Sequence, residues 1–334
     1  MIRLLSRFAV GLVPTLAALA ALVCCVLAPT ARGADLPTER ILALTLESTA
    51  ADHSAFDRLL AANVRDQRVD YLNLRRSHMG DLAGYLNAMA EIDASSLSKP
   101  EALAYWINVY NAAVLKAVAE RMDRDYAVSR NDFALFKELI VPSKTGMISL
   151  DQIENEIVRP KYKEPLVHVG FVCGALSCPP LLPRAYVGAT VMETLDANMK
   201  TFINDQNRTT ADDVKKEIQI CKIFEWYADD FGGKDKVLAY IDRYHPNDLS
   251  GFTVLYKEYD WTLNFAPPSG THWISITVNQ ADVYSAPGSD TIVGQVKKLQ
   301  ILESLEQRND WHRVLLPGAV TGWVPAEVIE DFAG

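Results

Sequence analysis

Apolar residues recur at helical spacing through much of the first 264 residues. Residues 54–64 and 79–92 each show the 3.6-residue period. Residues 98–122 carry the strongest helical pattern: Ser98 is a candidate cap, Pro100 sits in the first turn, and Leu103, Trp106, Ile107, Tyr110, Val114 and Val118 form one stripe. Ser149-Leu-Asp-Gln152 is a capping-box pattern that predicts a helix to about Val158. Residues 190–203 and 237–244 read as further helices. Residues 166–173 form a short, nearly continuous apolar run, which predicts a buried strand, and residues 217–224 predict a second. Between them, residues 174–183 hold three prolines and read as a loop.

The pattern changes at Pro267-Pro268-Ser269-Gly270. Beyond it, residues 272–278, 281–284, 292–296, 300–306, 312–316 and 322–324 are short strand candidates separated by turn residues, the pattern of a small barrel. The chain therefore divides into an α+β main domain at 34–265, a linker at 266–270 and an all-β barrel at 271–334. In the main domain helices surround a small sheet, of which a papain- or transglutaminase-like arrangement is one form.

Residues 1–33 are set apart from both domains. Arg3 and Arg7 precede an uncharged apolar run from Phe8 to Ala28, and Ala31-Arg32-Gly33 offers small residues at the −3 and −1 positions of a cleavage site. The run is long enough to span a bilayer, but Pro14 and the small-residue ending favour a cleaved secretory signal. Cleavage after Gly33 takes the formal charge from −9 to −12 and leaves Cys173, Cys178 and Cys221 of the five cysteines. The expected destination is the periplasm or the exterior, with no membrane attachment after cleavage. So acidic a chain is unsuited to gripping nucleic acid. Its 49% hydrophobic content excludes wholesale disorder.

Chemistry concentrates in one window, His168-Val-Gly-Phe-Val-Cys173-Gly-Ala-Leu-Ser-Cys178-Pro-Pro-Leu181. It brings the close cysteine pair of the mature chain together with a histidine, as a thiol hydrolase requires. If residues 166–173 are a strand, alternation turns Cys173 away from His168. Cys178, on the loop and followed by proline, would then return to the imidazole from a helix N-terminus, where a thiol is acidified. Cys178 is therefore the expected nucleophile and His168 its base. Glu154, on the apolar face of its helix, needs a partner and is expected to orient the imidazole. On the long helix, Asn111 stands among Ile107, Val114 and Leu115 and faces inward, with Asn108 toward the edge of the stripe. Trp106, Asn108, Asn111 and Cys173 are candidate substrate contacts, although buried amides also serve as structural braces. The C-x₄-C spacing with one histidine supplies no complete metal site, and no cofactor is expected.

Residues from about Ala55 to Asn264 resemble the domain-of-unknown-function 547 family. The resemblance rests on Val69-Asp70-Tyr71, Tyr105-Trp-Ile-Asn-Val-Tyr-Asn-Ala112, Ser149 to Glu154, His168 to Leu181, Phe224-Glu-Trp-Tyr-Ala-Asp-Asp-Phe231 and Tyr259-Asp-Trp-Thr-Leu-Asn264. It implies no substrate. The tail resembles bacterial Src-homology-3-like domains at Asp282 to Gly288, Ile292 to Val296, Trp311 to Val314 and Gly322 to Val324. That resemblance implies a cell-wall-derived, peptide-like or protein ligand. Tyr284 stands where those domains commonly carry arginine, and the tail's eight acids against four bases disfavour polyanions.

Three classes of function follow: an extracytoplasmic thiol hydrolase or acyl transferase acting on a peptide or amide bond, a binding protein stapled by a Cys173–Cys178 disulfide, and a thiol-redox protein. The last lacks C-x-x-C spacing.

Overall fold

The structure is a computed structural model that describes residues 51–266 and 270–332. The expected leader at 1–33 and the Pro267-Pro268-Ser269 part of the linker lie outside the described residues.

The main domain is organised around one helix. Helices α1 (Ser54–Asn63), α2 (Met79–Ala90), α3 (Lys99–Arg121), α4 (Val191–Ile203) and α5 (Val237–Asp242) form its larger helical elements. Seventeen of the 23 residues of α3 are buried, so this helix is enclosed on nearly all sides. Its start follows from local chemistry: the Glu101 N–H donates to Ser98 Oγ at 3.4 Å, and Pro100 occupies the first turn, where no N–H is needed. Small sheets surround the helices. Strands β1 (Leu139–Ser143) and β2 (Gly146–Ser149) form a hairpin. Strand β4 (Glu217–Ile220) pairs antiparallel with β3 (Thr210–Asp212) and parallel with β5 (Thr253–Tyr256). The expected strand over 217–224 ends at Ile220, and the chain turns into a short helix at Ile223–Trp226.

The buried strand expected over 166–173 is absent. Residues Pro165–Val169 form a 3₁₀ turn, and the chain runs on without a ladder partner. Side-chain amides take the place of a neighbouring strand. Asn111 donates from Nδ2 to Gly170 O at 2.9 Å and accepts the Val172 N–H at 3.0 Å. Asn198 of α4 donates to Val169 O at 2.7 Å. Asn108 treats Tyr186 in the same way, donating to its carbonyl at 2.8 Å and accepting its N–H at 2.9 Å. Gly170 lets the segment pack closely: a Cβ there would lie 2.9 Å from Ile107 Cδ1 and 3.0 Å from Leu195 Cδ2, so those side-chain ends would have to give way.

The C-terminal segment is an antiparallel seven-stranded sheet. Its strands are β6 (His272–Ile276), β7 (Gln280–Tyr284), β8 (Ile292–Lys297), β9 (Ile301–Arg308), β10 (Trp311–Leu316), β11 (Val320–Pro325) and β12 (Ile329–Asp331), in the order β8-β7-β11-β10-β9-β6-β12. Ile274, Val283, Val296, Val314 and Val324 are among the residues of its separate core. The expected fold class, α+β followed by an all-β segment, is the one observed. The sheet also rests on the main domain. Arg76 pairs with Glu303 and Arg124 with Glu330, each at 2.8 Å, while Trp273 and Ile301 join the main hydrophobic core.

Two stability outcomes follow. Asn108 is as buried as Asn111, not at an edge, and each amide holds a donor and an acceptor of the main chain. Asn108→Leu and Asn111→Leu should both lower the denaturant midpoint, by about 1–3 kcal/mol for each backbone group left unpaired. Urea titrations in which either variant matches wild type would remove the bracing role. We also propose that the barrel from residue 270 onward folds by itself, because its core is separate. A fragment 270–334 should unfold cooperatively, with a lower midpoint than the full chain because it loses the Trp273 and Ile301 packing. A structureless fragment would make the two segments one folding unit.

Candidate functional site

The site begins at the capping box. The Ser149 N–H donates to Gln152 Oε1 at 3.0 Å, and the Gln152 N–H donates to Ser149 Oγ at 3.1 Å. The helix then widens into a π-helical stretch at Gln152–Val158 and continues as α-helix at Arg159–Tyr162. Glu154 lies on the widened turn, a departure from α geometry that often accompanies functional side chains. Its carboxylate accepts the Tyr227 hydroxyl at 2.9 Å and the Tyr110 hydroxyl at 3.4 Å. Burial, reinforced by that carboxylate, holds both phenols far above their ordinary range, so both remain donors.

The partner that orients His168 is Asp230, not Glu154. His168 Nε2 lies 2.7 Å from Asp230 Oδ2, and Arg159 Nε donates to the same oxygen at 2.7 Å. The hydrogen bond from His168, and after it the one from Arg159, overcome partial burial and hold the Asp230 carboxyl well below the usual carboxylate range. An ionised carboxylate only accepts, which assigns the hydrogen to Nε2 and leaves the Nδ1 lone pair open in the neutral imidazole. The ring is further fixed by Tyr227, stacked at 4.1 Å between centroids. In the sequence Asp230 belongs to the Phe224–Phe231 motif. It lies 62 residues from His168 on a short 3₁₀ helix, Ala228–Phe231, and nothing in its local pattern marks it as a partner.

The two thiols differ in the opposite sense to the sequence expectation. Without the strand, alternation no longer separates Cys173 from His168. Cys178 does not begin a helix: its N–H closes a turn onto Ala175 O at 3.1 Å, and the residues after it are irregular. Cys178 is almost fully buried, and its Sγ accepts the Cys173 N–H at 2.7 Å. Burial, with the neighbouring Cys173 thiol, pushes Cys178 well above the ordinary thiol range. Cys173 is half-buried, 3.5 Å from the Tyr259 hydroxyl. Burial raises it, but hydrogen bonds from Cys178, Tyr259 and the Ala175 backbone outweigh that and leave it below the ordinary range. Cys221 is buried nearby and pushed up to about 12. All three thiols are free.

Glu154, His168, Cys173 and Cys178 all line one cavity of about 220 Å³. Much of the remaining wall is aromatic and includes Tyr110, Phe133, Trp226, Tyr227, Tyr259 and Trp261. Among the described residues, no hydrogen bond joins His168 to either thiol. Trp106, Asn108 and Asn111 are not part of this wall, and both amides are occupied by main-chain groups. Also among the described residues, no group of three His, Cys, Asp or Glu side chains could hold a metal ion, and no helix is long and apolar enough to cross a membrane.

Fold and cavity together define an α+β protein with a cysteine–histidine pocket, joined to an antiparallel β-sheet segment with its own core. The family comparisons divide the chain in the same way. A family model described as a protein of unknown function, DUF547, matches residues 94–203, and one described as a bacterial SH3 domain matches residues 279–330. The first match contains Glu154, His168, Cys173 and Cys178 and stops short of Tyr227, Asp230, Tyr259 and Trp261. No curated protein and no solved structure matches the chain.

The Asp230 geometry carries a pH signature. Because its pKa is lower folded than unfolded, its stabilising contribution is complete above the unfolded value near about 3.9. It is lost as pH falls through the folded value. Below about pH 4, wild-type stability should therefore fall more steeply than that of Asp230→Asn. Urea midpoints measured against pH that run parallel for the two proteins would count against the pairing.

Proposed function

We propose that the chain is an extracytoplasmic thiol hydrolase or acyl transferase acting on a peptide or amide bond, with Cys173 as nucleophile. The observation that carries this reading is the cavity itself. Its wall holds a partly buried thiol 3.5 Å from the Tyr259 hydroxyl and an imidazole oriented by an aspartate. Those are the parts of a cysteine–histidine acyl-transfer site. The C-terminal bacterial SH3 segment acts as the binding module, for a protein or a cell-wall-derived peptide. The leader reading places the work outside the cytoplasm.

In this mechanism His168 takes the Cys173 thiol proton on Nδ1, and Asp230 stabilises the imidazolium that forms. The thiolate attacks the carbonyl carbon. A C–S bond forms while the carbonyl π pair moves to oxygen. Collapse of the tetrahedral species breaks the C–N bond, and His168 returns its proton to the departing amine. Water, or a second amine, then attacks the thioester, and Cys173 leaves as the thiol. The products are a carboxylic acid or a new amide. The substrate and a bridging water close the gap between imidazole and thiol, since catalytic hydrogen bonds commonly tighten only in the complex.

The adjacency of the two thiols favours a second reading, a binding protein in which Cys173 and Cys178 are joined for stability. Peptide-resolved iodoacetamide labelling against pH separates the two. The acyl-transfer reading expects Cys173 to label faster than Cys178 and Cys221, with a half-rate pH below the free-thiol value of about 8.5. If Cys173 is disulfide-linked to Cys178 in the mature protein, or labels no faster than Cys221, the nucleophile assignment fails.

A further inference from the structure

Among the charged groups of the cavity wall that the proposed acyl chemistry does not use, Glu154 stands out. Asp230 performs the orienting task first expected of Glu154, and Glu154 receives only two phenolic hydroxyls. A carboxylate has about four acceptor sites, so those two donors leave it unsaturated. No salt bridge among the described residues includes Glu154. The cations near it are committed elsewhere: Arg159 to Asp230 and Asn155, and Lys137, in the cavity wall, to Asp132 at 2.8 Å.

The aromatic part of the same wall has a related character. Trp226, Tyr259 and Trp261 form a ring cluster with centroids 4.9, 4.3 and 5.8 Å apart, and Phe133 meets Trp261 edge-on at 4.7 Å. Aromatic faces carry partial negative charge and attract cations. A carboxylate short of donors, set among such faces, repels an anion and gains nothing specific from a neutral alkyl chain. A volume of about 220 Å³ admits a side-chain-sized group rather than an oligosaccharide.

We propose that the cavity selects a substrate bearing an alkylammonium group, a lysine-like side chain, held between Glu154 and the Trp226–Tyr259–Trp261 rings. This rests on reading the cavity as the substrate site and names the class of substrate it takes. The ammonium donates to the open positions of Glu154 and its methylenes lie along the rings.

The test is calorimetric titration of the full chain, under reducing conditions, with pentylammonium, 1-pentanol and pentanoate as probes of one length and three charges. Pentylammonium should bind about tenfold or more tightly than either of the others, and Glu154→Gln should remove about the same factor. Trp226 is 48% exposed, so Trp226→Leu spares the core and should weaken the same probe. Equal affinity for pentanol, or an unchanged constant in both variants, overturns the proposal. Amine binding without Cys173 reactivity would sink the acyl-transfer reading alone; Cys173 reactivity without charge selection would sink this one alone.

Discussion

A buried length of chain with no strand beside it must still find partners for its N–H and C=O groups. In this protein residues 165–174 are such a length, and they carry both His168 and Cys173. Three of those groups are held by side-chain amides from α3 and α4. Asn111 holds Gly170 and Val172 from one side, and Asn198 reaches Val169 from the other. Gly170, pressed against Ile107 and Leu195, leaves the segment no room to shift toward α3. The histidine two residues before and the cysteine three residues after are therefore held by a brace that touches neither. This accounts for polar residues in the middle of the most buried helix of the fold, and it makes Asn111 a residue that positions the site without entering it.

The two acidic groups of the site are kept distinct by what surrounds them. Asp230 lies between a guanidinium and an imidazole and is partly open to solvent, so its ion pairs are partly screened. Their consequence is geometric: they fix which imidazole nitrogen carries hydrogen and which way the ring points. Glu154 sits on a π-widened turn among phenols, with hydroxyl donors in place of cations. Exchanging the two carboxylates would leave the imidazole without its orienting acceptor and the cavity without its open one.

Much of this was legible in the sequence where the cause is local. Ser98 and the Ser149–Gln152 pair are read from three-residue spacing, and both caps are present. The six tail strands could be read from alternation and turn residues, and β12 was missed because it is only three residues long. The convergence of Glu154, His168, Cys173 and Cys178 on one cavity also follows from a short stretch of chain. What escaped is what depends on distant partners. The apolar run at 166–173 signals burial, but burial alone does not distinguish a strand from an irregular segment braced by amides. Asp230, Tyr259 and Trp261 come from turns and loops far along the chain, without a periodic pattern to mark the face they present.

The choice between the two thiols shows how one misread element propagates. Strand alternation and a helix N-terminus both pointed to Cys178, and neither exists. In their absence the question becomes which sulfur carries charge at lower cost. Two thiols in contact share one negative charge far more readily than two, because like charges at that distance disfavour double ionisation. The charge settles on the sulfur with more donors and more access to solvent. Cys173 has the Cys178 thiol, the Tyr259 hydroxyl and the Ala175 backbone around it and is half-exposed, whereas Cys178 is enclosed and spends its sulfur accepting the Cys173 N–H. The buried sulfur thus holds the backbone N–H of the more accessible residue. The asymmetry between the two thiols comes from burial and from their neighbours rather than from any difference in their places along the sequence.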